Sequence, residues 1–290
     1  AELEDAPVPA QAPADLVDRV EAYIQKAVRE AKVHTSWIDR DQRYGRAVAS
    51  FVRRSLTGAT AARFLSSFVP FVRRVARVGA VNSLASVVLK IASPGSADFY
   101  QGTEVWDLNL VDPDNRRPVD FAARAALLAS LGPLVTLIES ERPAAGELTD
   151  VLTNWPDGRV KMLVTHRGLL TRGRFADLVL HGRYAPIKAS GPRADHLVAF
   201  ARHDRAGTLI AVVPRLVAGL VSAAMPMVPP GAWRDTHLQV PTGTAARRFR
   251  QAFTGGWVEL VGEGTDLPVE RVLDAFPVAL LWSDATADAM

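Results

Sequence analysis

The 290-residue chain contains no cysteine. That excludes disulfides, thiolate metal sites and cysteine nucleophiles, and it fits a reducing compartment. Lysine is scarce: five of the 34 basic residues, the remainder being arginine. The net charge is only +3, and the excess is spread along the chain rather than gathered with aromatics on one face, as nucleic-acid binding requires. Arg73, Arg74 and Arg77 form one cluster and Arg247, Arg248 and Arg250 another; far apart in sequence, they read as solvated faces. No apolar run approaches the length of a bilayer span, and the longest, Leu216 to Val228, is interrupted by Ser222 and Pro226. The acidic, Pro- and Ala-rich opening lacks the basic start and apolar stretch of a signal peptide. The expectation is a cytoplasmic protein with neither nucleic acid nor membrane as a partner. Six histidines, at 34, 166, 181, 196, 203 and 237, show no metal-ligand spacing. The glycines from Gly255 to Gly264 lack the strand–loop–helix order of a phosphate loop. Neither a metal nor a cofactor is expected.

What is present is apolar patterning. Hydrophobic residues make up 48% of a chain long enough for two domains. Residues 1–14 read as a flexible lead-in. Asp15 is placed to cap a first helix with Leu16, Val20, Tyr23, Ala27 and Ala31 on one face. A second helical pattern carries Tyr44, Val48, Phe51 and Leu56, and a third Phe64, Phe68, Phe71 and Val75, with Pro70 expected to kink the third or start a new helix. A fourth, with Val81, Leu84, Val88 and Ile91, stops at Pro94-Gly95. Asp120 caps another helix, which Gly132-Pro133 breaks. Residues 142–158 read as loop, and residues 160–178 as an amphipathic helix joining two halves. From Gly182 the hydrophobic period becomes two, in short runs separated by Gly, Pro, Asp and Thr, the pattern of an antiparallel sandwich.

Between two helical runs lies the stretch Ser93 to Phe121, with five Asp, one Glu and an arginine pair. Asp112, Asp114, Asn115, Arg116 and Arg117 place carboxylates, an amide and guanidinium forks within six residues, and Tyr100, Gln101 and Glu104 lie just upstream. Such groups suit sugar hydroxyls, with aromatic rings against the apolar sugar face. A loop whose charges satisfy one another and cap the flanking helices is the alternative. Trp155, Trp233 and Trp257 read as packing residues more readily than as a carbohydrate platform.

"YQGTE", Tyr100 to Glu104, resembles the end of the eighth barrel strand in the α-amylase family of glycoside hydrolases. "DPDNRRPVD", Asp112 to Asp120, and "REAKVHTSW", Arg29 to Trp37, narrow the likeness to the maltooligosyltrehalose synthase group, and "PRL" at 214–216 and "FPVALL" at 276–281 resemble its C-terminal domain. Ser96-Ala97, where the group has Val-Pro, and "IDRD" after Trp37 depart from its pattern, so His34 and Trp37 are given no role. The resemblance implies an α+β chain: a helical insertion at 15–80, the last βα unit of a TIM (β/α)8 barrel with following helices at 81–181, and a C-terminal β-sandwich at 182–290. It implies conversion of the reducing-end α-1,4 linkage of a maltooligosaccharide to α,α-1,1. The three catalytic carboxylates would lie on an upstream part of the same enzyme, the expected partner, and none in this chain. Asp112 and Asp114, on one short loop, would reach a sugar from the same side, unlike an acid and nucleophile flanking the scissile bond. The implied substrate-binding residues are Tyr100, Gln101, Glu104, Asp112, Asn115 and Arg116, with Glu104 equally readable as a structural partner for an arginine. The alternative function is a noncatalytic maltodextrin-binding or interaction module.

Overall fold

The structure is a computed structural model that describes residues 6–142, 144–222, 224–240, 246–262 and 265–284. Residues 1–5 of the lead-in, Gly264 and residues 285–290 therefore lie outside the described residues. Contacts divide the chain into two compact units: residues 1–76 with 107–119, and residues 77–106 with 120–290.

The first unit holds α1 (Ala14–Ala31), α2 (Gln42–Thr57), the beginning of α3 (Ala61–Ala92) and the loop 107–119. Pro13, not Asp15, stands at the N-cap of α1; Asp15 falls in the first turn, where its charge opposes the positive end of the helix dipole. Asp41 caps α2 by accepting from the Tyr44 N–H. Arg53 of α2 reaches Asp18 at 2.9 Å and Glu21 at 2.5 Å, both on α1. Pro70 lies inside α3 without ending it. Phe64, Phe68, Phe71 and Val75, which share one stripe, are 41–52% exposed. Ala61 and Leu65, off that stripe, are the buried positions of this half-helix. The uninterrupted α3 also changes the sequence expectation about apolar length. Among the described residues it is long and apolar enough to cross a membrane, although half of its most apolar stretch is buried in the protein. The helices Phe121–Ser130 and Gly132–Glu139, bent by 44° to one another, pass the same test only if taken as one span.

The second unit begins in α3 and continues through α4 (Phe121–Ser130), α5 (Gly132–Glu139), α6 (Ala145–Thr153), α7 (Arg159–Arg174) and α8 (Ala176–His181). Asp120 accepts from the Ala123 N–H and so caps α4 as expected, and the chain breaks between α4 and α5 at Gly132-Pro133. The stretch 142–158 is not all loop: α6 buries Leu148, Val151 and Leu152, at i, i+3 and i+4.

The switch to strands falls between α8, ending at His181, and β1 (Arg183–Pro186). There follow β2 (Lys188–Ser190), β3 (Leu197–His203), β4 (Gly207–Pro214), β5 (His237–Gln239), β6 (Arg248–Gln251), β7 (Trp257–Glu259), β8 (Asp266–Pro268), the short α9 (Val269–Leu273) and β9 (Ala279–Asp284). Two antiparallel sheets result, one ordered β1-β3-β4-β9-β6-β7 and one ordered β2-β5-β8. The chain is thus α+β.

β4 is buried at every position. Its odd residues Leu209, Ala211 and Val213 join a core with the C-terminal half of α3 and with α5 to α8. Ile210 and Val212 face a second core that includes Leu238 of β5 and Leu267 of β8. A strand covered on both faces reads as a continuous apolar run, which explains "TLIAVV".

Candidate functional site

The polar stretch singled out in the sequence is divided between the units: Tyr100, Gln101 and Glu104 belong to the second, and Asp112, Asn115 and Arg116 to the first.

In the first unit, loop 107–119 is organised around Asp114. The Arg19 guanidinium meets both of its oxygens, and the Leu110 N–H donates to Oδ2 at 2.7 Å. Arg117 adds a contact at 3.3 Å to Oδ1 and donates to Asn109 Oδ1 at 2.5 Å. The bond to Arg19, above all, lowers the Asp114 carboxyl from 3.8 to about 2, with help from the Leu110 N–H. Asp114 is therefore ionised and committed, a brace rather than an acid. Asp112 pairs with Arg116 one turn on and lies 3.5 Å from Lys26 Nζ of α1. The Arg116 side chain is 72% exposed, and Asn115 is exposed as well. Arg116 forms an ion pair with Asp112 and, being largely exposed, presents a planar fork of donors to solvent.

In the second unit, residues 96–100 form no strand. No strand pairs with them among the described residues. Tyr100 to Thr103 is a turn, closed by the Thr103 N–H donating to the Tyr100 carbonyl at 3.1 Å. Tyr100 is 56% exposed and Gln101 is exposed. Glu104 pairs with Arg124 of α4 at 3.4 Å, and Arg124 also donates to the Gly102 carbonyl at 2.8 Å. Lys161 donates to the Val105 carbonyl at 3.1 Å, and the Trp106 indole donates to the Trp155 carbonyl at 2.5 Å. Gly158, at φ 86°, lies against Val105, where a Cβ would come within 2.8 Å of the valine Cβ. Upstream, Arg172 of α7 donates to the carbonyls of Ile91, Ser93 and Gly95, capping the end of α3. The segment is short of regular structure yet held at nearly every residue from Gly102 to Trp106.

Sequence reasoning missed Arg19, Arg124, Lys161 and Arg172, which hold these segments. The available signal was a lone arginine, Arg124, within an otherwise uncharged helix of ten residues. His166, on α7, is shifted down from its usual range by burial first and by neighbouring Arg167 second. Among the described residues, no group of three or more His, Asp or Glu side chains could hold a metal ion.

No family model matches the chain. Two curated Mycobacterium tuberculosis proteins, of strains H37Rv and CDC 1551, carry the provisional name maltooligosyl trehalose synthase. Each is 34% identical to this chain over 263 residues, covering 91% of this chain and 29% of its own. Its relatives are maltooligosyltrehalose synthases. The solved synthase from Arthrobacter ramosus matches with a TM-score of 0.70 at 33% identity, over 96% of this chain and 31% of that one. A hypothetical maltooligosyl trehalose synthase from Sulfolobus tokodaii matches at 0.60 and 25% identity, over 93% of this chain and 29% of that one. The chain thus spans about three-tenths of the length of the synthases it matches.

Proposed function

We propose that the chain is the C-terminal part of a maltooligosyltrehalose synthase, an intramolecular glucosyl transferase. The observation that carries this is the match of 91% of the chain, at 34% identity, to proteins bearing that name. In the proposed reaction the α-1,4 bond to the reducing-end glucose breaks. An upstream carboxylate takes the glycosyl group as a covalent ester while the leaving oxygen gains a proton. The freed glucose then attacks through its anomeric hydroxyl, whose own proton returns to the group that protonated the leaving oxygen, and the carboxylate is released, so that an α,α-1,1 linkage replaces the α-1,4 one. Nothing is oxidised or reduced, and water must be kept out.

In this reading Asp112, Asn115 and Arg116 grip the reducing-end glucose, and the exposed fork of Arg116 supports it. Tyr100 and Gln101 are proposed, on the likeness of "YQGTE", as sugar-facing residues of their own unit, while the pairing with Arg124 favours a bracing role for Glu104. The six- and three-stranded sheets form the sandwich domain, residues 81–181 the last βα unit of the barrel with its following helices, and residues 15–80 the helical insertion. The location is cytoplasmic.

The test is complementation. The 290-residue chain alone is expected to leave maltopentaose unchanged, and to convert it to a nonreducing product once combined with the upstream part of the enzyme. Nonreducing product from the pure chain would overturn the assignment. Maltodextrin binding with no activity in any combination would favour the noncatalytic module instead.

A further inference from the structure

A cleft of about 450 Å³ opens in the second unit between β7 and the end of α9. Trp257, Glu259, Thr254, Arg271 and Asp274 line it. Trp257 keeps 39% of its surface exposed, and Glu259, Arg271 and Asp274 are all exposed. No role in the proposed reaction falls to any of them.

The indole is held in place. Its N–H donates to Glu141 Oε2 at 3.2 Å, and the other oxygen of that carboxylate takes Arg250 at 2.9 Å. Arg250 is itself anchored on the Ile138 and Glu139 carbonyls at the end of α5. The Arg248 guanidinium lies over the ring, 4.7 Å from its centroid. With the polar atom satisfied and one side of the ring occupied, the remaining exposed surface is apolar and its orientation is fixed before any ligand arrives. Two carboxylates, a guanidinium and a hydroxyl share the cleft with that surface. A pre-set flat apolar patch among bidentate hydrogen-bonding groups suits a ligand with apolar faces and a periphery of hydroxyls. β7 lies at the edge of its sheet, so an added peptide strand is the competing occupant. It is only three residues long, which offers a poor template.

We infer that the Trp257 cleft is a second carbohydrate-binding site, taking an α-1,4-glucan segment away from the reacting end. The choice of glucan rests on the proposed function; the cleft and its chemistry do not. Long substrates would gain affinity there, and short ones would not reach it.

Affinity electrophoresis of the 290-residue chain in gels containing soluble starch, with dextran as the control polymer, tests this. The expected result is retardation by starch only. Trp257→Ala weakens it about tenfold or more, in line with the loss of a buried-edge aromatic anchor. Glu259→Gln with Asp274→Asn, which leaves the core untouched, weakens it less, and Arg205→Lys, on the exposed turn between β3 and β4, leaves it unchanged. Circular dichroism checks that each variant is folded. In the complete enzyme, Trp257→Ala should raise KM for long maltodextrin and not for maltopentaose. Equal retardation of the Trp257→Ala variant and the parent chain, absence of retardation of the parent, or binding of an extended peptide in place of starch would each overturn the inference. The complementation assay is independent of all these outcomes, so the two readings fail separately.

Discussion

Arg19 meets Asp114 with both ends of its guanidinium fork, Nε to Oδ1 and Nη2 to Oδ2, each at 2.8 Å. The pair joins α1 to a loop that returns to it after ninety-odd residues, and the Asp114 side chain is only 8% exposed. Arg19→Lys keeps the charge and loses the fork. A charged hydrogen bond of this kind contributes about 1.5–3 kcal/mol. Urea denaturation should show a loss of that order, together with faster proteolysis within residues 107–119. An unchanged midpoint would mean that the loop is held by something else.

The same pair sets an acid limit. Asp114 titrates near 3.8 when unfolded and at about 2 when folded. Between those values the unfolded chain binds a proton that the folded chain refuses, so the contribution is fully present above about pH 5 and fades as pH falls toward 2. Asp114→Asn should flatten the stability profile in that window while lowering stability at neutral pH. Denaturation midpoints at pH 2.5 and pH 6 suffice; parallel profiles for parent and variant would contradict the assignment.

Arg116 provides a test of function. In the complete enzyme, Arg116→Lys should let the cleaved glucose escape about ten- to hundredfold faster, the equivalent of one charged hydrogen bond. Isomerisation should then fall more than bond cleavage, and free glucose should rise as a share of product. Asp112→Asn should shift the ratio the same way. Chromatography at one substrate concentration gives both quantities. If both rates fall together, Arg116 supports the loop and not the sugar.

Glu104 and Arg124 should behave as braces. Arg124→Ala leaves the Glu104 carboxylate and the Gly102 carbonyl without their partner, a loss of about 1–3 kcal/mol. Amide exchange across residues 100–106 should accelerate, while α7 stays protected. Exchange that is unchanged there would return Glu104 to the list of groups free to bind a sugar.

Much of this architecture was readable locally. Asp120 as a cap, the break at Gly132-Pro133 and the change of period at Gly182 depend on neighbours within a few residues, and each coincides with an element boundary. The uninterrupted α3 was not readable, because Pro70 carries a helix-breaking propensity that the surrounding helix overrides. Nor was α6, whose N-cap Ala144 makes no side-chain cap bond. For the candidate site, the sequence supplied the residue types and not their partners. Arg19 and Arg124 lie 95 and 20 residues from the carboxylates they meet, and no periodicity encodes such a meeting. The stripe Phe64, Phe68, Phe71 and Val75 has a core-like pattern, yet it lies on the surface.

β9 enters its sheet between β4 and β6, although β5 to β8 precede it in the chain. During synthesis β1, β3 and β4 can pair as they emerge, since β3 and β4 form a hairpin and β1 pairs with β3 across a short connection that contains β2. β6 and β7 cannot join them until β9 has been made, and the buried faces of Phe249 and Ile210 must wait for it. A long-range closure of this kind slows folding and leaves an open sheet edge in the meantime. The most aggregation-prone moment in the life of this chain therefore falls late, just before the strand that completes the larger sheet is available.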